Sequence, residues 1–337
     1  MINEKDTAFL AKFIETPKKI SIIPHRNPDG DALGASLGLY QVLKQMNHEV
    51  YVISPNDFPD FIAWLPEAKQ TMIFEKNSED CTKILKQSEM IFTLDFNALQ
   101  RTGEQMGNVL EKLSCDFVMI DHHQAPDSYA RVMISDTSFG STCELLYRFL
   151  EHLQLKKYIN KEVATCIYTG IVTDSGSFKY LKTTGNTHRV VADLLDLGVD
   201  NPGIHNQLFN NSSYKRLQLL GRALEKLTVL PEHRTAYTFL SQKDLFEFEF
   251  QKGDTEGIVN YGLSIKNVDL AVIFIENKDE GIIKISFRSE GMFDVNNFAR
   301  NYFNGGGHIN AAGGMSSDTL EETIKRFETI LKQINKE

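Results

Sequence analysis

Three short apolar runs, each closing on a carboxylate or an imidazole, constrain this chain more than any other feature. Ile20-Ser21-Ile22-Ile23-Pro24 leads into His25-Arg26-Asn27-Pro28-Asp29-Gly30-Asp31, Met90-Ile91-Phe92-Thr93-Leu94 ends at Asp95, and Phe117-Val118-Met119-Ile120 ends at Asp121-His122-His123. Runs of this length, too short for an ordinary helix, read as buried strands. Helical patterns separate them, at 32–46 with Asp31 as its cap, at 101–113 and, after a further strand at 131–134, at 140–152 and 161–172. The last of these closes on Thr173-Asp174-Ser175-Gly176. Strands alternating with helices predict an α/β fold with a doubly wound, mostly parallel sheet. In such sheets ligands bind outside the carboxyl ends of the strands, and that is the edge where these polar groups collect.

The remaining elements follow from the same patterns. A short amphipathic helix is expected at 7–16 and a second strand at 49–53, after Asn47 as a helix stop. Gly34, Ala35 and Gly38 suggest close packing of helix 32–46 on the sheet. Residues 55–75 read as irregular, with three prolines and the lone Trp64. Helices at 186–197 and 214–226 flank Gly198, Pro202 and Gly203. The chain of 337 residues is long enough for about two domains, so we expect a larger α/β domain at 1–197, which holds the polar strand ends, a connector at 198–226 and a smaller mixed α/β domain at 227–337. In the latter, strands are expected at 227–230, 235–240, 270–275 and 282–287, and a helix at 319–335.

Charge narrows the function. Lys+Arg 36 against Asp+Glu 45 gives a net charge of −9, the wrong sign for a protein that holds long nucleic acid. Any positive potential must be local. Cys81, Cys115, Cys143 and Cys166 show no CxxC spacing, as expected of free thiols in a reducing compartment. Met1-Ile2-Asn3-Glu4-Lys5-Asp6 carries no secretory pattern, and no apolar stretch is long enough to span a bilayer. A cytoplasmic chain is the expectation.

Singly, each acidic or imidazole group is an ordinary turn or cap residue; jointly they cannot all ionise without a counter-charge. Divalent cations remove the conflict. Mixed carboxylate and imidazole ligands suit Mn²⁺, with Mg²⁺ or Zn²⁺ as options. A shared carboxylate can hold two ions about 3.5–4 Å apart, which suits in-line displacement at phosphorus. Asp121 is either a ligand or a carboxylate that orients a histidine. Further on, Ser286-Phe287-Arg288-Ser289 offers a planar guanidinium fork. Asn304-Gly305-Gly306-Gly307-His308-Ile309-Asn310-Ala311-Ala312-Gly313-Gly314 offers backbone N–H groups that can approach a phosphate.

These stretches together resemble the DHH phosphoesterase family, whose motifs are matched by His25–Asp31, Leu94-Asp95, Asp121-His122-His123 and Gly170–Gly176, with the DHH-associated domain matched around Arg288 and His308. The resemblance covers nearly the whole chain. It implies one metal held by His25, Asp29 and Asp95, and a second held by Asp31, Asp95, His122 and Asp174, with Asp95 shared. It implies that Asp121 supports the site and His123 faces the substrate phosphate, giving these two the catalytic roles. It implies that Arg288, Gly305, Gly306, Gly307 and His308 bind substrate. Asn304 departs from the family, which commonly has glycine there.

By length and by Phe139-Gly140-Ser141-Thr142 and Thr173-Asp174-Ser175-Gly176-Ser177-Phe178, the chain is most similar to the bacterial oligoribonucleases that also act as phosphatases on 3′-phosphoadenosine 5′-phosphate. The expected cofactors are two divalent ions, Mn²⁺ ahead of Mg²⁺. The expected partners are short single-stranded oligoribonucleotides and phosphorylated nucleotides, not long duplex nucleic acid or a membrane; a homodimer is allowed. Rival readings are a linear or cyclic dinucleotide phosphodiesterase, an exopolyphosphatase, or a nucleotide sensor without catalysis.

Overall fold

The computed structural model describes residues 3–334, so Met1 and Ile2 of the expected N-terminal pattern and residue 335 of the expected last helix lie outside the described residues. The chain divides into two compact units, Met1–Asn211 and Ser212–Glu337. No helix among the described residues is long and apolar enough to cross a membrane, and all four cysteines are free.

In the first unit the elements run α1 (Glu4–Phe13), β1 (Lys19–Pro24), α2 (Gly30–Gln45), β2 (Glu49–Ser54), β3 (Met72–Ile73), α3 (Ser78–Gln87), β4 (Met90–Leu94), α4 (Glu104–Leu110), β5 (Asp116–Asp121), β6 (Val132–Ser135), α5 (Thr142–His152), α6 (Lys161–Asp174), α7 (Gly185–Asp196) and α8 (Asn201–Phe209). The strands form one sheet in the order β3-β2-β1-β4-β5-β6, every pairing parallel. The direction of winding reverses between β1 and β4, and such a switch point opens a crevice at the strand ends. Both sheet faces are covered. Ile20, Ile22, Phe92, Leu94, Val118 and Ile120 join one core with α2, α5 and α6. Ile23, Ile53, Ile91 and Phe117 face Cys81 and Leu85 of α3 and Met106 and Leu110 of α4. Burial on both faces explains why these strands read as continuous apolar runs rather than as alternation.

Helix α2 departs from the amphipathic expectation: every residue from Gly30 to Val42 is buried, and so is Leu43. It lies between the sheet and a second helical layer. Gly34 and Gly38 close onto α6 rather than onto the sheet, since a Cβ at Gly34 would stand 2.5 Å from the Cys166 carbonyl and one at Gly38 would stand 3.3 Å from Ile167. A second departure is α8. The sequence places Pro202 and Gly203 between helices, yet they sit in the first turn of one capped by Asp200. Proline is tolerated there because its missing N–H would have had no intrahelical partner.

The second unit contains α9 (Tyr214–Glu225), β7 (Thr228–Leu230), β8 (Thr235–Leu240), α10 (Gln242–Glu247), α11 (Asn260–Leu263), β9 (Leu270–Asn277), β10 (Ile282–Ser289), α12 (Val295–Tyr302), β11 (Gly306–His308), β12 (Ala311–Ser316) and α13 (Leu320–Ile334). Its sheet has the order β11-β12-β10-β9-β8-β7. Among the described residues of this unit only β8 and β9 pair in parallel, so the sheet is mixed. Phe274, Phe287, Phe298 and Phe327 form the core under α12 and α13.

Candidate metal centre

The switch point of the first sheet places three chain segments side by side. β1 delivers His25, and the turn after it ends in α2. The Asp29 side chain caps that helix, its Oδ1 accepting from the Asp31 and Ala32 N–H groups at 3.0 Å each. The sequence pointed to Asp31 as the cap, and that is corrected. Asp31 instead caps α5 from outside, accepting from the N–H of Thr142 at 2.5 Å and of Cys143 at 2.8 Å. The unpaired N–H groups of a helix start are a ready seat for a carboxylate.

β4 delivers Asp95 in a left-handed conformation with φ +67°, while its N–H still donates to the Ile120 carbonyl at 3.0 Å. A non-glycine residue held at positive φ is strained, and such strain collects at functional sites. The two Asp95 oxygens face opposite ways. Oδ2 lies 3.5 Å from His25 Nε2 and Oδ1 lies 3.5 Å from His122 Nε2. His122 Nε2 is also 3.2 Å from Asp174 Oδ2 and 3.9 Å from Asp31 Oδ2. Asp174 is the last residue of α6, and the chain turns away through Gly176, Ser177 and Phe178, all at positive φ.

Among the described residues, three donor groups lie within the first unit, His25 with Asp29 and Asp95, Asp31 with His122 and Asp174, and Asp95 with Asp121 and His123, each with its ligand atoms within 4.8 Å of one another. The histidine tautomers suit a cation. His25 Nδ1 is 2.8 Å from the Arg26 carbonyl and His122 Nδ1 is 3.3 Å from that of Phe139. A carbonyl can only accept, so each Nδ1 keeps its proton and each Nε2 is left to face the carboxylates, as metal-binding histidines are commonly held. His123 Nδ1 stands 2.7 Å from Asp121 Oδ1. The other Asp121 oxygen is buried and has no hydrogen-bond partner among the described residues.

The electrostatics show the same crowding. Burial, then the charges of Asp95 and Asp174, push the Asp31 carboxyl well above its usual range. Burial would also raise Asp95, but the His25 hydrogen bond and the charges of His123 and His122 reverse it, and its pKa falls. Burial would lower His122, yet Asp174, then Asp95 and Asp31, raise it to about 10. The opposed shifts mark a concentration of negative charge that a divalent cation would balance. Oxygen and imidazole donors at these separations fit small divalent cations.

In the second unit, β-sheet register brings the substrate candidates together. Arg288 pairs with Ala311 across β10 and β12, and Ala311 pairs with His308 across β12 and β11. Directly opposed residues point to one face, so Arg288 and His308 share a face with roughly 10 Å, two strand spacings, between their backbones. The glycines answer first to close packing. A Cβ at Gly305 would stand 2.0 Å from the Gly313 carbonyl and one at Gly307 would stand 2.4 Å from that of Ala311. Their N–H groups are engaged within the unit, by the Ala299 carbonyl at 3.2 Å and by Asn296 Oδ1 at 2.9 Å. Asn304 sits at φ +46°, a conformation asparagine tolerates nearly as glycine does. Asn304→Gly is therefore expected to leave kcat/KM within about twofold, whereas Asn304→Val should lower stability by about 1–2 kcal/mol, read as a shift of the denaturation midpoint.

Three neighbours of these sites were not singled out from the sequence as functional residues. Thr142 donates its hydroxyl to Asp95 Oδ1 at 2.8 Å. Lys182 is half-buried and faces Asp174, Asp121 and Asp136, burial depressing its pKa. Asn296 binds both Gly307 and the Arg300 guanidinium. Only Thr142 carried a local signal, a Ser-Thr pair opening an amphipathic helix.

Known proteins resemble this chain over most of its length. Residues 19–171 match the DHH family, N-terminal domain, and residues 234–337 match the DHHA1 domain. The chain is 29% identical to the bifunctional oligoribonuclease and PAP phosphatase NrnA of Thermus thermophilus, over 98% of this chain and 93% of that one. It is 28% identical to NrnA of Bacillus subtilis, over 93% and 95%. The crystal structure of an exopolyphosphatase-related protein from Bacteroides fragilis superposes with a TM-score of 0.94 at 38% identity, covering 99% of this chain and 97% of that one. RecJ from Thermus thermophilus, crystallised with Mn²⁺, shares the fold at 16% identity and a TM-score of 0.54, over 98% of this chain and 54% of RecJ. The chain belongs to the DHH family of metal-dependent phosphoesterases, its DHH domain followed by a DHHA1 domain.

Proposed function

We propose that this chain hydrolyses short oligoribonucleotides to mononucleotides and removes the 3′-phosphate of 3′-phosphoadenosine 5′-phosphate, using two divalent ions, Mn²⁺ foremost. One observation carries the reading. A single buried carboxylate, Asp95, turns one oxygen to His25 and the other to His122, in a chain that aligns over nearly its full length with two bifunctional oligoribonucleases. In this reading His25, Asp29 and Asp95 hold one ion, and Asp31, Asp95, His122 and Asp174 hold the other. Bound there, the ions neutralise charge on the phosphoryl oxygens and supply a nucleophile at neutral pH.

The chain's own residues do the rest. Asp121 accepts a hydrogen bond from His123 Nδ1, which orients the ring and leaves Nε2 to present a proton to the departing oxygen. Arg288 and His308 bind a terminal phosphate, and the close packing of Gly305 and Gly307 against β12, with Gly306 paired to Gly313, keeps their strands in register. Short single strands suit the acidic chain, and its four free thiols suit a reducing cytoplasm.

The deciding experiment is a panel of short RNA oligomers, 3′-phosphoadenosine 5′-phosphate, linear pApA and polyphosphate, each with Mn²⁺ and with Mg²⁺. Turnover of RNA and of the 3′-phosphorylated nucleotide is expected, fastest with Mn²⁺. Failure on both, with metal bound, would reject the proposal. A second reading as an exopolyphosphatase is favoured by the name of the 38%-identical structure, and preferred turnover of polyphosphate would select it.

Arg288→Ala separates binding from chemistry. Loss of a bidentate, charge-assisted contact costs about 1.5–3 kcal/mol, or roughly ten- to hundredfold in kcat/KM. Most of it should appear in KM, and more on short substrates than on longer ones. Metal content should not change, and loss of metal in this variant would show that the guanidinium does another job.

A further inference from the structure

The first turn of α5 holds carboxylates from two other segments at once. Backbone N–H groups of Thr142 and Cys143 hold Asp31, while the Thr142 hydroxyl donates to Asp95 Oδ1 at 2.8 Å. Thr142 and Asp31 are fully enclosed and Asp95 is 2% exposed. The backbone contacts survive almost any substitution at 142. The hydroxyl contact does not, and it reaches the one carboxylate whose two oxygens face different donor groups.

We infer that Thr142 is a positioning residue whose hydroxyl locks the rotation of the Asp95 carboxylate, so that Oδ1 serves the His122 side and Oδ2 the His25 side. The inference rests on the reading of Asp95 as a ligand shared by two ions. Asp95 hangs from a strained strand end with its imidazole neighbours no nearer than 3.5 Å, so fixing the rotation of its carboxylate calls for a closer, anchored donor. The Thr142 hydroxyl is such a donor, because its own backbone is anchored in the helix start that also holds Asp31. Ser141 stiffens that start by accepting from the Glu144 N–H at 3.0 Å. Outer-sphere partners of this kind typically change metal affinity or activity by roughly 10–100-fold when removed.

The test uses the full chain stripped of metal and titrated calorimetrically with Mn²⁺, comparing wild type with Thr142→Ser, Thr142→Val, Thr142→Ala and Asp95→Ala. Thr142→Ser keeps the hydroxyl and should bind within about threefold of wild type. Thr142→Val and Thr142→Ala should bind roughly tenfold or more weakly, and kcat should fall with little change in substrate KM. Thr142→Ala carries the comparison if valine prevents folding. Wild-type affinity in Thr142→Ala, or an equal loss in Thr142→Ser, would overturn the inference while Asp95→Ala remained metal-deficient. Undiminished two-site binding by Asp95→Ala would instead sink the shared-ligand reading itself.

Discussion

Asp95→Ala is expected to abolish turnover and to strip the first unit of both divalent ions while its fold persists. Asp95 is the one carboxylate within about 4 Å of His25, His122 and His123, at 3.5, 3.5 and 3.7 Å. Removing it leaves His25 and Asp29 without a third donor and deprives His122 of one neighbour. The ions supply several kcal/mol of charge stabilisation, and each 1.36 kcal/mol is tenfold in rate, so a loss of at least about a thousandfold is expected. Asp95→Asn sharpens the test. Asparagine also accepts the left-handed backbone that Asp95 occupies, so that variant removes charge without adding strain. Metal content by elemental analysis, turnover with Mn²⁺ and the far-ultraviolet circular dichroism spectrum would be measured together. Near-wild-type turnover in either variant would remove Asp95 from the centre of the chemistry.

Legibility in the sequence tracked how much of an element's job falls on its own side chains. β1, β4 and β5 were readable because both sheet faces are covered, which makes each strand an unbroken apolar run that stops where the polar edge begins. His25, Asp95 and His122 were readable for the same reason. β11 and β12 were not, because Gly306-Gly307-His308 and Ala311-Ala312-Gly313-Gly314 pair through backbone alone and show no side-chain period. α3 carries just two buried side chains, Cys81 and Leu85, too thin a stripe to announce a helix. α8 was hidden by Pro202 and Gly203, which local rules associate with loops. Asp29 and Asp31 are equally good caps by residue type; which of them caps α2 is decided by α5, whose N–H groups claim Asp31 from 111 positions away. Thr142 showed in the sequence only as part of a helix start, since the partner that gives its hydroxyl a role, Asp95, lies 47 positions earlier.

Gly170→Ala is expected to damage the metal centre from a position that offers no ligand. Gly170 lies inside α6, where that helix passes α2 and α5. A Cβ there would stand 2.3 Å from Cys143 Sγ, 2.7 Å from Asp31 Oδ1 and 3.0 Å from the Asp31 Cα. None of these can yield easily. Cys143 and Asp31 are fully enclosed, and both Asp31 oxygens are already held by the start of α5. The methyl group must therefore part α6 from α2 or turn Asp31 out of its seat. Overpacking of this kind costs about 1–3 kcal/mol, and a ligand displaced by about 1 Å can cost a hundredfold in rate. The expected result is a lowered denaturation midpoint, weaker Mn²⁺ binding on the His122 side and a hundredfold or greater loss of turnover. Gly38→Ala is the matched control on the same helix contact. Its Cβ would meet Ile167 Cγ1 at 3.3 Å and Leu146 Cδ2 at 3.7 Å, a snug fit with side-chain atoms that needs a shift of only a few tenths of an ångström, and alanine is the better helix former by about 1 kcal/mol. That variant should bind Mn²⁺ and turn over as wild type does. If Gly170→Ala loses stability yet keeps both ions and full activity, the helix contact is structural only and Asp31 does not depend on it.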